Sequence, residues 1–379
     1  MKNKFLFILT AVLMFILGAS DTLRGVFSPL FVSSFGLSLS QIGLMVSASY
    51  VGNIIFLLLG GYILDKTGTK KALVSFVLLL AASEILLLFS RGFASLAVGF
   101  FLALGLSTLL NTTVNLYSGS FSESRGLMFA NILFFIQGIG TTLSQLFLSK
   151  AAGSITLWSV TLIVFSTILV VIAISVTRVK DFGTKEQVKE QENSSQSGIL
   201  FFPITIITLS LSLYLIAEHG VMNYLILYGE NELGISTSSI GFALSLFSFG
   251  IMTGRLIFSP LIDRIGDRVF MFISLTVAFI SAMLVFYAGI LPMTLLLGLA
   301  SSTVYPTMVA MVRKYVPSSL SSRATTAVVS IASVLDVLFN MGFGFLTDSY
   351  GYRSTMLIIA FANLIAAILF IPMLLRNKQ

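Results

Sequence analysis

Six ionisable side chains stand inside long apolar runs: Asp21, Arg24, Glu84, Glu218, His219 and Asp336. Placing an acid or base at the middle of a bilayer costs about 2.5–3.5 kcal/mol on insertion scales, so residues of this kind are functional candidates by default. Asp21 and Arg24 are three apart and share one helix face, where each can offset the other's charge. With the adjacent Glu218 and His219 they form the preferred candidate for a protonatable site whose charge changes during a working cycle. A static ion pair that fixes helix packing is the competing reading. Asp336, with Asn340 one turn further on, is a third candidate. Glu84 is expected near the outer end of its helix, where a long side chain can reach water.

Neutral polar residues add two stripes. Ser107, Asn111 and Asn115 recur every four residues, as do Gln137, Thr141 and Gln145, which puts each trio on one helix face. Amides and hydroxyls so arranged suit a polyhydroxylated solute, whose hydroxyls need donors and acceptors once water is stripped away. The competing use is hydrogen bonding between helices.

The elements that must position these residues span lipid. Of 379 residues, 56% are hydrophobic and 10% charged, whereas about a quarter of residues are charged in soluble domains. Apolar runs predict twelve spans, at roughly 5–31, 41–64, 71–90, 92–117, 125–151 and 155–177, then 199–228, 237–262, 268–288, 290–312, 321–347 and 352–375. A polar, Ser/Gln-rich stretch at 178–198 reads as a linker between an N-terminal six-helix bundle (1–177) and a C-terminal one (199–379). The opening, with Lys2 and Lys4 before an apolar run, imitates a signal peptide. Removing it would break the six-plus-six count, so it is read as the first helix.

Most Lys and Arg fall in one set of loops, leaving Arg91, Lys150 and Arg353 on the other side. By the positive-inside rule this predicts a multi-pass protein of the cell membrane with both termini and the linker in the cytoplasm. The formal charge of +7 is then a topology signal, and no nucleic-acid partner is expected. The chain has no cysteine and one histidine, which excludes disulfides and argues against thiolate or histidine-cluster metal sites. No nucleotide-binding glycine loop or catalytic serine motif occurs, so neither an enzyme nor a cofactor is expected.

Shifting the sequence by 198 residues aligns Gly36 with Gly234, Ser38 with Ser236, Ile42 with Ile240, Gly52 with Gly250, Asp65 with Asp263 and Gly68 with Gly266. Lys66 meets Arg264, Lys70 meets Arg268, Arg125 meets Arg323, and Asp21 falls opposite His219 in the same register. The segment Gly61-Tyr-Ile-Leu-Asp65-Lys66-Thr-Gly68-Thr-Lys70-Lys71 resembles the loop signature of major facilitator transporters. The second copy keeps Asp263, Arg264, Gly266 and Arg268 but has Ser259 where the first glycine stands. The resemblance implies an all-α membrane protein of two related six-helix bundles with substrate held near the midplane, lined by the first and seventh helices. It also implies that Gly61, Asp65, Lys66, Gly68 and Lys70, with Asp263, Arg264, Gly266 and Arg268, act as gating loops.

Further stretches are similar to the fucose and hexose proton symporter group. They are Gly105 to Asn111 in the fourth span, Asn131 with Gln137, Gly138 and Gly140 in the fifth, and Tyr214 with Glu218, His219, Gly220, Tyr224 and Tyr228 in the seventh. Gly254-Arg255 and Tyr305-Pro306-Thr307 are likewise familiar in position. Two departures stand out: Ser107 replaces that group's proton-carrying glutamate, and Gly25 replaces its first-helix aspartate. Any coupling must therefore use other groups.

The resemblance implies proton-coupled uptake of a small polar solute, a sugar or related metabolite, by alternating access in a single copy of the chain. The alternatives are proton-coupled export of a drug or metabolite, and a lipid flippase or transporter-like sensor. The missing R-x-x-x-G arginine of many antiporters in the fourth helix tilts the reading toward uptake.

Overall fold

The computed structural model describes residues 4–121, 126–179, 182 and 198–375. Arg125 and residues 180, 181 and 183–197 of the expected linker lie outside these, as do the side chains of Gly61 and Asp65. The chain divides into two compact units, 1–190 and 191–379. Every regular element among the described residues is helical.

In the first unit the opening span is built from α1 (Lys4–Asp21), α2 (Leu23–Val26) and α3 (Ser28–Ser33). It is followed by α4 (Leu39–Thr67), α5 (Thr69–Phe89), α6 (Phe93–Tyr117), α7 (Gly126–Leu148) and α8 (Ile155–Thr177). The second unit contains α9 (Phe201–Asn231), α10 (Thr237–Ile265) and α11 (Asp267–Phe286), then a tenth span of α12 (Met293–Ser301) and α13 (Val304–Arg313). It closes with α14 (Ser321–Leu375), which runs through two spans and is broken only at Gly351, φ 82° and ψ 161°. Counted this way the described helices make the twelve expected crossings. Their outward faces carry large apolar side chains such as Leu58, Phe89, Phe201, Leu256 and Phe345, exposed as suits lipid.

The two interrupted spans were not expected, and proline accounts for the break at Phe27 in the first and at Ser302–Thr303 in the tenth. Pro29 has no N–H and its ring crowds the carbonyl one turn back, at Gly25; Ser28 Oγ donates to that carbonyl at 2.7 Å. Pro306 does the same to Ser302, whose carbonyl accepts from Arg255 Nε at 3.2 Å. Inside a bilayer such freed backbone groups must find partners within the protein, and here side chains supply them.

Within each unit the same helix pairs pack. In the first, α4 lies on α6, α5 on α8 and α1 on α7; in the second, α10 lies on α12, α11 on α14 and α9 on α14. The sequence repeat extends to single hydrogen bonds. Leu37 N donates to Phe31 O at 3.0 Å and Ile235 N to Gly229 O at 3.0 Å, each pair 198 residues from its copy. Gly36 (φ 70°) and Gly234 (φ 63°) adopt the left-handed conformation these turns need, as do Gly68 (φ 74°) and Gly266 (φ 89°) after the next helix of each unit. Close helix approach is repeated too: a Cβ on Gly52 would meet Phe101 O at 2.2 Å, and one on Gly250 would meet Leu295 O at 2.6 Å.

Candidate functional site

The first unit gathers its polar side chains around the end of α1, where the helix breaks at Thr22. Ser107 of α6 donates to Asp21 Oδ2 at 3.1 Å, and Asp21 is within electrostatic reach of Arg24. Arg24 is 7% exposed. Its Nη2 donates to Tyr50 OH at 3.1 Å, and its guanidinium lies 4.9 Å above the Tyr50 ring. A buried guanidinium so held is a cation–π and hydrogen-bonded group, with a fork that also matches a carboxylate. Thr22 Oγ1 and Ser144 Oγ, 2.8 Å apart, link this point to α7.

Glu84 corrects the expectation that it snorkels to water. It is 0% exposed and accepts a short hydrogen bond from Ser20 Oγ. Being near one end of α5 left its helix face undetermined, and that face is turned toward α1.

The two polar stripes divide by role. On α6, Ser107 is buried at 2% exposure, Asn111 is partly buried with Oδ1 lacking a partner among the described residues, and Asn115 is exposed. On α7, Gln137 is partly buried, and Thr141 Oγ1 donates to Gly18 O at 3.1 Å. That bond joins α1 to α7, the packing use of such residues.

The second unit pairs residues that sequence reasoning kept apart. His219 Nδ1 of α9 lies 2.6 Å from Asp336 Oδ2 of α14. Asp336 is 1% exposed and His219 24%. Asn340 Nδ2 donates to Asp336 Oδ1 at 2.9 Å, and Tyr224 OH donates to Asn340 Oδ1 at 2.7 Å. Imidazole, carboxylate, amide and phenol thus form one chain of hydrogen bonds, able to hold or release a proton at the imidazole.

Glu218 is not part of that chain. It belongs with Tyr214 and Tyr305, each of which is within electrostatic reach of both Glu218 and Arg255. Tyr214 OH donates to Ser301 O at 2.9 Å, at the break of the tenth span. Two of these side chains, Tyr214 and Arg255, thus reach carbonyls at the Pro306 kink. Tyr50 and Ser20, functional neighbours that sequence reasoning missed, carry no local signal, because their partners are 26 and 64 residues away.

In the loop signatures, Lys70 and Arg268 each reach a carbonyl of their own unit. Lys70 Nζ donates to Val179 O at 2.7 Å, just past the end of α8. Arg268, its repeat partner, donates to Met373 O at 3.0 Å near the end of α14 and to Tyr315 OH at 3.1 Å. A cation on terminal carbonyls satisfies orphan acceptors and opposes the helix dipole. Lys66 Nζ stands 4.3 Å above the Tyr62 ring, and Asp263, Arg264 and Gly266 are exposed.

Comparison with known proteins agrees with this architecture. A match of 162 residues at 25% identity relates the chain to the probable galactarate/D-glucarate transporter GudP of Bacillus subtilis (strain 168). It takes in 40% of this chain, which covers 35% of that relative's length. The solved D-xylose-proton symporter superposes over 96% of both chains with a TM-score of 0.76 and 15% identity. The transporter FucP, solved in an outward conformation, superposes over 100% of both chains with a TM-score of 0.62 and 18% identity. At these identities the structural likeness is one of fold. Residues 10–230 and 197–379 each match the profile of the Major Facilitator Superfamily. With both six-span units matched, the chain belongs to the Major Facilitator Superfamily and is a multi-pass membrane transporter, not an enzyme.

Proposed function

We propose that this transporter takes up a sugar or sugar acid together with a proton, by alternating access across the cell membrane, with both termini cytoplasmic. The observation that carries the reading is the first unit's group of buried Arg24 and Ser107 with the partly buried Asp21, which sets an acid, a base and a hydroxyl side by side in a membrane span. A carboxylate beside a guanidinium can exchange its countercharge for a proton, and the guanidinium can then bind an anionic or polyhydroxylated solute. The His219–Asp336 pair offers a second protonatable group in the other unit. The names of two similar proteins point the same way, one a probable galactarate/D-glucarate transporter and the other a D-xylose-proton symporter.

We assign Asn111, Asn115, Gln137, Tyr214, Glu218 and Tyr305 to solute recognition and orientation. We assign the residues of each loop signature to gating, with Lys70 and Arg268 each bonding a carbonyl near the end of another helix of its own bundle. The test is uptake of labelled D-glucarate and D-xylose into proteoliposomes under an imposed pH gradient. Accumulation driven by the gradient is expected, with Asp21→Asn abolishing it while leaving solute counterflow. Uptake indifferent to the gradient would end the coupling reading, and extrusion of dyes in place of sugar uptake would favour an exporter.

A further inference from the structure

Glu84 is a buried acid that the proposed site does not use. It lies in α5, is 0% exposed, and accepts from Ser20 Oγ on α1. Its second oxygen, Oε2, has no hydrogen-bond partner among the described residues. Ser20 adjoins Asp21 in sequence, and Asp21 and Glu84 are within electrostatic reach of each other.

The surrounding charges are few. The helices packed on α5 are α8, α6 and α4. Helix α8 contains no Asp, Glu, Lys, Arg, His or Tyr, and α6 contains only Tyr117 among these types. Helix α4 supplies Tyr50 and, toward its far end, Tyr62, Asp65 and Lys66. Helix α5 itself has Lys70 and Lys71 in its first turn, about fourteen residues or some 20 Å of helix before Glu84. Within electrostatic reach of Glu84 there remains Asp21, whose own neighbouring base, Arg24, accounts for the charge of only one acid. An ionised carboxylate with no exposure, a single hydroxyl donor and an empty acceptor oxygen carries a large desolvation cost, whereas the neutral acid carries little.

We propose that Glu84 is a second proton-binding site of the first unit, linked to Asp21 so that Arg24 balances one carboxylate while the other carboxyl keeps its proton. The cluster then has zero net charge in the resting state. Drawing Arg24 toward an anionic solute calls for one further proton at Asp21. The linkage rests on the coupling reading above, but the occupancy of Glu84 does not.

The test is infrared spectroscopy of the purified full chain in detergent, titrated in pH without solute and followed at the carboxylic C=O stretch. A band persisting in neutral buffer and absent from Glu84→Gln is expected. Asp21→Asn removes a neighbouring negative charge and should make the Glu84 band fade at lower pH, while Arg24→Gln should make it persist to higher pH. Ser20→Ala should shift the band's frequency by removing the hydroxyl donor, and provides an independent variant if Glu84→Gln folds poorly. A wild-type spectrum unchanged by Glu84→Gln, or a Glu84 band indifferent to Asp21→Asn, would overturn the proposal. If the bands behave as expected while proteoliposome uptake ignores the pH gradient, the coupling reading fails and the Glu84 site stands.

Discussion

The two units share the turn after their opening span to the hydrogen bond and differ in their interiors. Gly36 and Gly234 make the same left-handed turn and close the same backbone hydrogen bond. Inside the helices the register delivers different chemistry: Asp21 is replaced by His219, Ser20 by Glu218, Ser107 by Tyr305 and Glu84 by Ala282. In the first unit the acid on the opening span ties to α6, and its neighbour Ser20 ties to α5. In the second, the histidine ties to α14. Turn geometry and helix contact tolerate little change because they are set by backbone. Side chains facing the interior are free to diverge once those constraints are met.

Three experiments could break this comparison, beginning with the polar cores. Asp336→Ala strips His219 and Asn340 of a buried partner and should cost about 3–5 kcal/mol, whereas Ser107→Ala should cost about 1 kcal/mol, since Asp21 keeps Arg24 nearby. Thermal unfolding in detergent measures both, and equal losses would mean that the two interiors are held alike. Gly52→Ala and Gly250→Ala should each cost about 1–3 kcal/mol by forcing paired helices apart. Gly52 should suffer more, because its new Cβ would be 0.4 Å closer to a carbonyl oxygen than that of Gly250 (2.2 against 2.6 Å). Crosslinking yield between cysteines placed on α4 and α6, or on α10 and α12, reports the separation. The smallest effect is expected for Lys70→Met and Arg268→Met, about 1 kcal/mol apiece from lost terminal-carbonyl bonds, with Arg268 the larger because it also holds Tyr315. Trp158, the chain's one tryptophan, is fully buried against Phe27 and Phe31. Its emission should therefore register the Lys70 change before the Arg268 change.

The twelve spans were legible because lipid imposes a minimum apolar length and polar turns punctuate it. The repeat was legible because Gly36, Gly68, Gly234 and Gly266 occupy conformations that other residues rarely adopt. What stayed hidden was the rotation of one helix against another. The adjacency of Glu218 and His219 suggested a pair, yet neighbours on a helix point about 100° apart, and the two side chains join different groups. Glu84 was misplaced for the same reason: its depth along the span was readable, but not its facing. The breaks of the first and tenth spans were not read from the sequence although Pro29 and Pro306 stand beside them, and only the structure identifies Ser28 and Arg255 as donors to the carbonyls these prolines crowd.

The joint at Gly351 has a mechanical consequence. The last two spans meet at one residue with left-handed dihedrals and no intervening loop, whereas the corresponding hairpin of the first unit passes through a short 3-10 turn at Ser149–Ala151 and the residues up to Ser154. A connection with no slack behaves as a stiff elbow, so a tilt imposed on the eleventh span is handed to the twelfth with almost no loss. The paired first-unit helices can absorb part of the same tilt in their longer corner.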